Sequence, residues 1–422
     1  MRITILTAGS LGDVQPYVAL GVGLQEAGHD VRLATHESFK KLVEIRGLNF
    51  FPITGNPQTI LESDIGRRWL ESGKNFLAFI QRMMEVAHPM MWQLLNDCWK
   101  ACQDTDLVLF HLLALLPALC ISEKLSLPIC PAFLQHVHHT RSYPSFVSTP
   151  LPVFTGLYNR LTYALTERIL WRLMRPAVNR WRMEVLGLSP LPSEAPFARW
   201  LKQGKPCLYG FSPNVIPKAP EWGDEVHVTG YWFLEKVANW EPPAHLVDFL
   251  KSGPPPVFIG FGSMVNRKPE EVTEITLKAL ALSRQRGILL SGWGGLGDAC
   301  LPKGVLKIDF APFDWLFPKM AAVVHHGGAG TTATGLRAGV PSIIVPFFGD
   351  QPFWAWRVKQ LGVGPGPILR KRLSAERLAG AIKTAATDKE MQKQALALGK
   401  QIQAEDGVAQ AVAVVNRHFS KF

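Results

Sequence analysis

The chain has 422 residues, 47% of them hydrophobic and 19% charged, so it contains enough apolar side chains for two hydrophobic cores. This length predicts two domains of roughly 200 residues each, because a single core rarely grows much beyond that size. Lysine and arginine outnumber aspartate and glutamate by 45 to 34, which gives a net charge of +11. These basic residues are dispersed, which excludes a basic-tail nucleic-acid-binding protein and leaves small anions or acidic lipids as partners.

The N-terminal residues predict one βαβ unit. Ile3–Thr7 is a strand, residues 8–13 form a glycine turn, and a helix extends from about Pro16 to Ala27. A second strand covers residues 29–35. The N-terminal residues have the pattern of a strand and not that of a signal peptide. The six cysteines do not show the paired spacing of a zinc site. We therefore expect a cytoplasmic protein with reduced thiols.

The alternation of strands and helices continues along the rest of the chain and is interrupted once by a proline-rich segment. The further strands expected before the interruption are 107–110, 128–133, 207–211 and 226–229, and those after it are 257–261, 287–290, 306–309, 322–325 and 342–345. Stretch 107–121 is too short to span a bilayer, which needs about 20 residues. We predict an α/β protein with two doubly wound domains, residues 1–240 and 257–403, joined by the Pro-rich linker 241–256 and facing each other across a cleft.

A phosphate-binding turn is predicted at residues 325–332, where a buried strand is followed by His-His-Gly-Gly-Ala-Gly-Thr-Thr and then a helix. The free N–H groups of Gly330, Thr331 and Thr332 are expected to open that helix and to attract an anion, and glycines allow the backbone to approach it closely. A glycine turn with core histidines and a threonine cap is the alternative. The expected ligands of a diphosphate are His326, Gly328, Gly330, Thr331 and Thr332.

This run, followed by Gly349-Asp350-Gln351-Pro352 and preceded by Gly9–Tyr17, resembles the signature of family 1, UDP-sugar-dependent glycosyltransferases. Within them it is most similar to bacterial and fungal sterol 3-beta-glucosyltransferases and glycopeptide-antibiotic glycosyltransferases. The resemblance implies a GT-B fold and inverting, metal-independent transfer, with a UDP-sugar as co-substrate and no other cofactor. By the family's geometry, the C-terminal segment 404–422 is a helix that crosses back to the first domain.

Asp350 and Gln351 are the residues expected to bind the sugar. A carboxylate beside an amide offers hydrogen-bond acceptors and donors together, which suits several hydroxyl groups. An ordinary polar loop after the strand is the alternative, and the resemblance favours the binding role.

The resemblance also indicates positions for the rest of the donor. Phe310 matches the position where plant relatives stack a ring on the base, although core packing is an alternative for each aromatic residue of this segment. The remaining expected donor contacts are Gly12, Ser263, Trp293 and Phe313.

Asp13 is the expected catalytic base, and His326 is expected to assist the departing diphosphate. Asp13 stands at the carboxyl end of the first strand, where the plant relatives have a histidine. A carboxylate can accept the acceptor's proton late in the transition state. A helix N-cap is the alternative role, and the two roles are compatible.

The acceptor site is expected to be apolar. Its predicted lining residues are Trp69, Met84, Trp92, His136, Tyr143 and Phe146, although ordinary helix packing accounts for many such residues. Nearby Arg141, Arg160, Arg168 and Arg172 could bring this face to an acidic membrane, and solvated charge is the alternative.

The residues and the resemblance together favour a transferase that moves glucose from UDP-glucose to a lipophilic, sterol-like acceptor. Three alternatives remain open at this point. They are a glycosyltransferase for a polyketide, phenolic, peptide or lipid acceptor, including a rhamnosyltransferase; another reaction on the same fold, such as epimerisation; and a non-catalytic protein that binds sugar nucleotides.

Overall fold

The computed structural model describes residues 1–55, 90–148, 156–201, 203–234, 240–261, 269–291 and 301–420. The chain forms two compact units, one of Met1–Leu234 with Glu405–Phe422 and the other of Glu235–Ala404. Each unit contains a parallel β-sheet with helices packed against it. The predicted class, α/β with two Rossmann-like sheets, is confirmed.

In its described part, the first unit has a seven-stranded sheet with the order β3-β2-β1-β4-β5-β6-β7. The strands are β1 Arg2–Leu6, β2 Asp30–His36, β3 Asn49–Ile53, β4 Leu107–Phe110, β5 Ile129–Phe133, β6 Cys207–Tyr209 and β7 Val226–Val228. Its helices are α1 Leu11–Glu26, α2 Lys40–Glu44, α3 over the described residues 90–101, α4 Leu115–Leu125, α5 Gly156–Trp181 and α6 Pro196–Leu201.

The central strands of this sheet are buried along their whole length. All residues of β4 and β5 are buried, as are Ile3–Leu6 of β1. Such continuous apolar runs are typical of parallel strands covered on both faces. The strand order reverses between β1 and β4, so the chain leaves these neighbours in opposite directions and opens a crevice at their carboxyl ends.

The second unit repeats this arrangement with the order β10-β9-β8-β11-β12 among its described strands. They are β8 Val257–Gly260, β9 Gly287–Leu290, β10 Val305–Ile308, β11 Ala322–His325 and β12 Ser342–Ile344. The helices are α7 Ala244–Lys251, α8 Pro269–Ser283, α9 Phe313–Leu316, α10 Ala329–Arg337, α11 Gln351–Gln360, α12 Ala375–Thr387 and α13 Lys389–Gln403. Here the order reverses between β8 and β11, where Gly260 is paired with His325.

The last helix, α14 (Gly407–Phe419), belongs to the first unit. Its buried residues Ala411, Val414, Val415 and Phe419 lie in the same hydrophobic cluster as the inner side of α1. Asn416 and His29 are joined by a 2.7 Å contact between Oδ1 and Nε2. No helix in the described ranges combines the length and the apolar character that crossing a membrane requires.

The close contact at the start of α14 gives a stability prediction. A Cβ atom on Gly407 would lie 2.5 Å from the carbonyl oxygen of Tyr231. We therefore expect Gly407→Ala to lower the free energy of unfolding by about 1–3 kcal/mol, measured by thermal denaturation. Gly380→Ala in α12 is the matched control, because a Cβ there meets nothing within 4 Å and should be neutral or slightly stabilising. Equal stability of the two variants would contradict the proposed tight packing.

Candidate functional site

Asp13 lies in the first turn of α1, directly after β1 and therefore beside the crevice of the first sheet. The backbone N–H and the hydroxyl of Ser10 donate to its Oδ2 at 2.8 and 2.9 Å. Gly9 has φ +127°, and a Cβ on it would lie 2.5 Å from that same oxygen. Ser10 and Gly9 thus fix the carboxylate. The alternative role predicted for Asp13, the helix N-cap, is wrong, because Ser10 is the N-cap of α1 and Asp13 is its third residue, where it completes a capping box. The helix begins at Leu11, five residues before the predicted start at Pro16.

The turn that contains Asp13 is also held by β2. The N–H of Gly9 donates to Nε2 of His36 at 3.0 Å. His36 is buried, and burial lowers its pKa, which keeps the ring neutral and Nε2 able to accept. The turn is therefore held to β2 through Gly9 and to the first turn of α1 through Ser10.

The other carboxylate oxygen of Asp13, Oδ1, lies 3.9 Å from Nε2 of His111. His111 directly follows β4, which is the strand beside β1 across the reversal. It is buried, and neither ring nitrogen has a hydrogen-bond partner among the described residues. Burial lowers the pKa of His111, and the charge of Asp13 opposes that shift only in part.

We did not predict a role for His111 from the sequence. The available signal was a polar residue placed immediately after a fully apolar strand. Leu11 and Leu113 were also missed. Both are large apolar side chains that remain exposed, Leu11 at the start of α1 and Leu113 in a short 3-10 helix after β4. The segments that follow β1 and β4 therefore carry a carboxylate and two exposed leucines.

Three of the predicted acceptor residues come together after β5. The ring of His136 lies 5.9 Å from that of Tyr143 and 6.5 Å from that of Phe146. His136 is fully buried, however, and its Nε2 donates to the carbonyl oxygen of Pro144 at 2.9 Å. It lies inside the cluster, not on an open surface, and Phe146 is the member left partly accessible.

The remaining predicted acceptor residues are Trp92, Trp69 and Met84. Trp92 on α3 lies beneath the guanidinium of Arg180, 5.6 Å from its ring centre. Trp69 and Met84 lie outside the described residues. The segment after β5 is instead held by Tyr209, whose hydroxyl accepts from the N–H groups of Val137 and His138 and lies 2.5 Å from Nδ1 of His138.

In the second unit, the predicted phosphate turn lies between β11 and α10. Nδ1 of His325 accepts from the N–H of Gly327 at 3.1 Å, so this buried ring is part of the turn itself. The N–H groups of Ala329, Gly330 and Thr331 open α10 and have no acceptor within the helix. They provide a positive end that can bind an anion.

Thr332 differs from the prediction. Its N–H and its hydroxyl both donate to the carbonyl oxygen of Gly328 at 2.9 Å, and the residue is fully buried. The physical reason is that the helix begins at Ala329, one residue earlier than predicted, so Thr332 is already inside it. His326 lies over this turn, and a Cβ on Gly328 would be 2.5 Å from its Nε2.

Asp350 and Gln351 begin α11 beside the phosphate turn. A Cβ on Gly327 would lie 3.3 Å from the carbonyl oxygen of Gln351, which shows how near the two segments are. The side-chain oxygen of Gln351 accepts from the N–H groups of Phe347 and Phe348 at 2.7 and 3.2 Å. Oδ2 of Asp350 accepts from the indole N–H of Trp354 at 2.9 Å, and Asp350 stays partly exposed.

The two predicted aromatic residues separate into different environments. Phe310 follows β10 and is 66% exposed, so its ring is available for stacking. Phe313 is partly buried and packs against Phe258 and Phe317 at the edge of the core, at ring distances of 5.3 and 4.5 Å. Gly12 lies in α1 next to Asp13, whereas Ser263 and Trp293 lie outside the described residues.

The histidines of these segments give a prediction about pH. Burial lowers the pKa of His136 and His326 to about 4, and that of His138 and His325 to about 3. In the unfolded chain the pKa is about 6.5, so below that pH the unfolded state binds more protons and the folded state loses stability. Each histidine should contribute at most about 1.4 kcal/mol of this loss of stability per pH unit. The loss is followed as the fall of the thermal unfolding midpoint between about pH 7.5 and 5.

His325→Asn tests the assignment, because an amide oxygen can still accept from the N–H of Gly327 while the titrating group is removed. The pH dependence should become shallower in this variant. The prediction would be contradicted if the variant and the wild type showed the same dependence of the thermal midpoint on pH. It would also be contradicted if the thermal midpoint of the wild type stayed constant as the pH was lowered below 6.5.

Two family models match the sequence, one in each half of the chain. Residues 3–144 match the glycosyltransferase family 28 N-terminal domain. Residues 295–415 match the C-terminal domain of proteins like erythromycin biosynthesis protein CIII.

Similar proteins include sterol 3-beta-glucosyltransferases. One from Emericella nidulans is 39% identical over 99% of this chain, and one from Arabidopsis thaliana is 39% identical over 99%. The chain spans 30% of the length of the fungal protein and 66% of that of the plant protein.

Solved structures with the same fold include two glycosyltransferases. The kitacinnamycin glycosyltransferase aligns with a TM-score of 0.72 at 20% identity, covering 99% of this chain and 98% of that one. The calicheamicin glycosyltransferase CalG4 aligns with a TM-score of 0.72 at 17% identity, covering 100% and 98%. The chain has the GT-B fold of these two structures, and along its length its sequence is similar to glycosyltransferase family models and to sterol 3-beta-glucosyltransferases.

Proposed function

We propose that this chain is an inverting, metal-independent glucosyltransferase that transfers glucose from UDP-glucose to a hydroxyl group of a sterol-like acceptor. The sterol 3-beta-glucosyltransferases that share 39% of its residues over 99% of its length support both the sugar and the acceptor. The exposed apolar residues Leu11 and Leu113 support a lipophilic acceptor next to Asp13.

The second unit supplies the proposed donor site. The free N–H groups of Ala329, Gly330 and Thr331 face the diphosphate, and His326 adds a donor from a neutral ring. Phe310 stacks on the base through its exposed ring. Asp350 and Gln351 bind the glucose hydroxyls, with Asp350 as the more accessible of the two.

The observation that carries the proposal is the state of Asp13. One of its oxygens is fixed by Ser10, while its side chain keeps 29% exposure and directs the other oxygen towards a buried, neutral His111. We assign His111 a positioning role beside the proposed base, because its Nε2 lies 3.9 Å from Oδ1 of Asp13.

In the proposed reaction, the acceptor oxygen attacks the anomeric carbon and forms the new glycosidic bond with inversion. The bond from that carbon to the diphosphate oxygen breaks, and UDP leaves with the electron pair. Asp13 takes the acceptor's hydroxyl proton. The first turn of α10 stabilises the charge that develops on the leaving diphosphate.

Acceptor-dependent UDP release tests this proposal. The protein is incubated with UDP-glucose and EDTA, first alone and then with sterols and phenols, and both UDP and new glycosides are measured. Asp13→Asn keeps an acceptor for the Ser10 hydrogen bonds but cannot take a proton, so turnover should fall by about 10²–10⁴-fold. UDP binding should persist.

Asp104→Asn is the matched control. Asp104 precedes β4 at the amino edge of the same sheet, where it is paired with Arg32 at 2.7 Å. The Asp104→Asn variant should transfer glucose at the wild-type rate. The proposal fails if Asp13→Asn transfers glucose as fast as the wild type, or if UDP binds and no acceptor is glycosylated.

A further inference from the structure

The exposed side of α5 has an unusual composition. All residues of this helix are described, and its exposed positions hold only leucine, alanine, proline and arginine. They are Leu157, Arg160, Leu161, Ala164, Leu165, Arg168, Arg172, Pro176 and Arg180. A helix whose outer side faces only water normally presents glutamate, lysine or glutamine there.

Three of these leucines form one stripe. Leu157, Leu161 and Leu165 are four residues apart, so they lie above one another on the same side of the helix. They are 73%, 58% and 57% exposed. Each such leucine leaves apolar surface in water, and a contiguous apolar patch usually marks an interaction site.

Basic side chains border the stripe. Arg160 lies at its edge, and Arg168 and Arg172 continue it by further turns. The one acidic residue of the helix, Glu167, is only partly exposed and is bound to His139 at 3.0 Å. We call Leu157, Arg160, Leu161, Leu165, Arg168 and Arg172 the α5 face.

The opposite side of α5 is held firmly to the segment after β5. The N–H of Ser145 donates to the hydroxyl of Thr162 at 2.8 Å, and the amide of Asn159 donates to the carbonyl oxygen of Arg141 at 2.8 Å. Because β5 and β1 are parallel, this segment leaves the sheet at the same edge as the turn that contains Asp13. The α5 face is thus a rigid surface attached to the proposed catalytic edge.

We propose that the α5 face docks on an anionic phospholipid membrane. The leucines enter the boundary between headgroups and acyl chains, and the arginines contact the lipid phosphates and carboxylates, as in helices that lie in the membrane interface. The all-basic charge of the face selects a negative lipid surface. Docking requires neither donor nor acceptor, so it goes beyond the proposed transfer and stands or fails independently of it.

Vesicle co-sedimentation without UDP-glucose tests the proposal. Wild-type protein should bind phosphatidylcholine vesicles that contain phosphatidylserine and bind pure phosphatidylcholine far more weakly. Replacing Leu157, Leu161 and Leu165 together by serine should weaken binding at least about tenfold. Arg168→Gln and Arg172→Gln should each weaken it about fivefold, and only on the anionic vesicles.

Leu282→Ser with Leu396→Ser is the matched control, because these leucines are 60% and 52% exposed on α8 and α13 of the other unit. This variant should bind like the wild type. Circular dichroism and the rate with a detergent-dispersed acceptor should be unchanged in every variant.

Three results would overturn the proposal. The first is a wild-type protein that does not bind anionic vesicles, and the second is a control variant that loses binding as much as the leucine variant. The third is a wild-type dimer that the leucine substitutions convert to monomer, because the α5 face would then be the contact with a second copy of the chain.

Discussion

The reversal of strand order in each parallel sheet is the constraint on which the rest of the structure depends. Between β1 and β4, and again between β8 and β11, the strand order reverses, and such a reversal opens a crevice at the carboxyl ends of the two central strands. Polar groups placed there can meet a ligand while the strands beneath them remain buried. Asp13 and His111 occupy this position in the first unit, and residues 325–331 occupy it in the second.

Each of the two edges carries backbone N–H groups or a carboxylate beside buried, neutral rings. The start of α10 presents N–H groups, and burial keeps the adjacent His325 and His326 uncharged. At the edge of the other sheet, a neutral His111 stands beside the carboxylate of Asp13. In the proposed reaction, the N–H groups of α10 stabilise the leaving diphosphate through the helix dipole.

Local patterns predicted the parts of the site that depend on local geometry. A run of glycines between an apolar strand and a helix allows few conformations, so the phosphate turn was predictable. The start of α1 was predicted at about Pro16 and lies at Leu11, so Asp13 belongs to the first turn of the helix and not to the loop before it. The start of α10 was misplaced by one residue because Gly328 can cap a helix as readily as extend it. That single residue decides whether Thr332 faces a ligand or the helix interior.

Contacts between distant segments could not be predicted in the same way. His111 meets Asp13 only because β4 pairs with β1, although about a hundred residues separate them in the sequence. Phe310 and Phe313 are near neighbours in the chain, yet one is exposed and the other lies between Phe258 and Phe317. His136 likewise belongs to the core, since an aromatic sequence pattern does not tell which rings cover the others.

A crystal structure of the protein with UDP tests the central claim most directly. We expect diphosphate oxygens within about 2.7–3.2 Å of the backbone nitrogens of Ala329, Gly330 and Thr331, and the uracil ring stacked against Phe310. Nucleotide bound elsewhere, with the first turn of α10 left in contact with solvent alone, would contradict it.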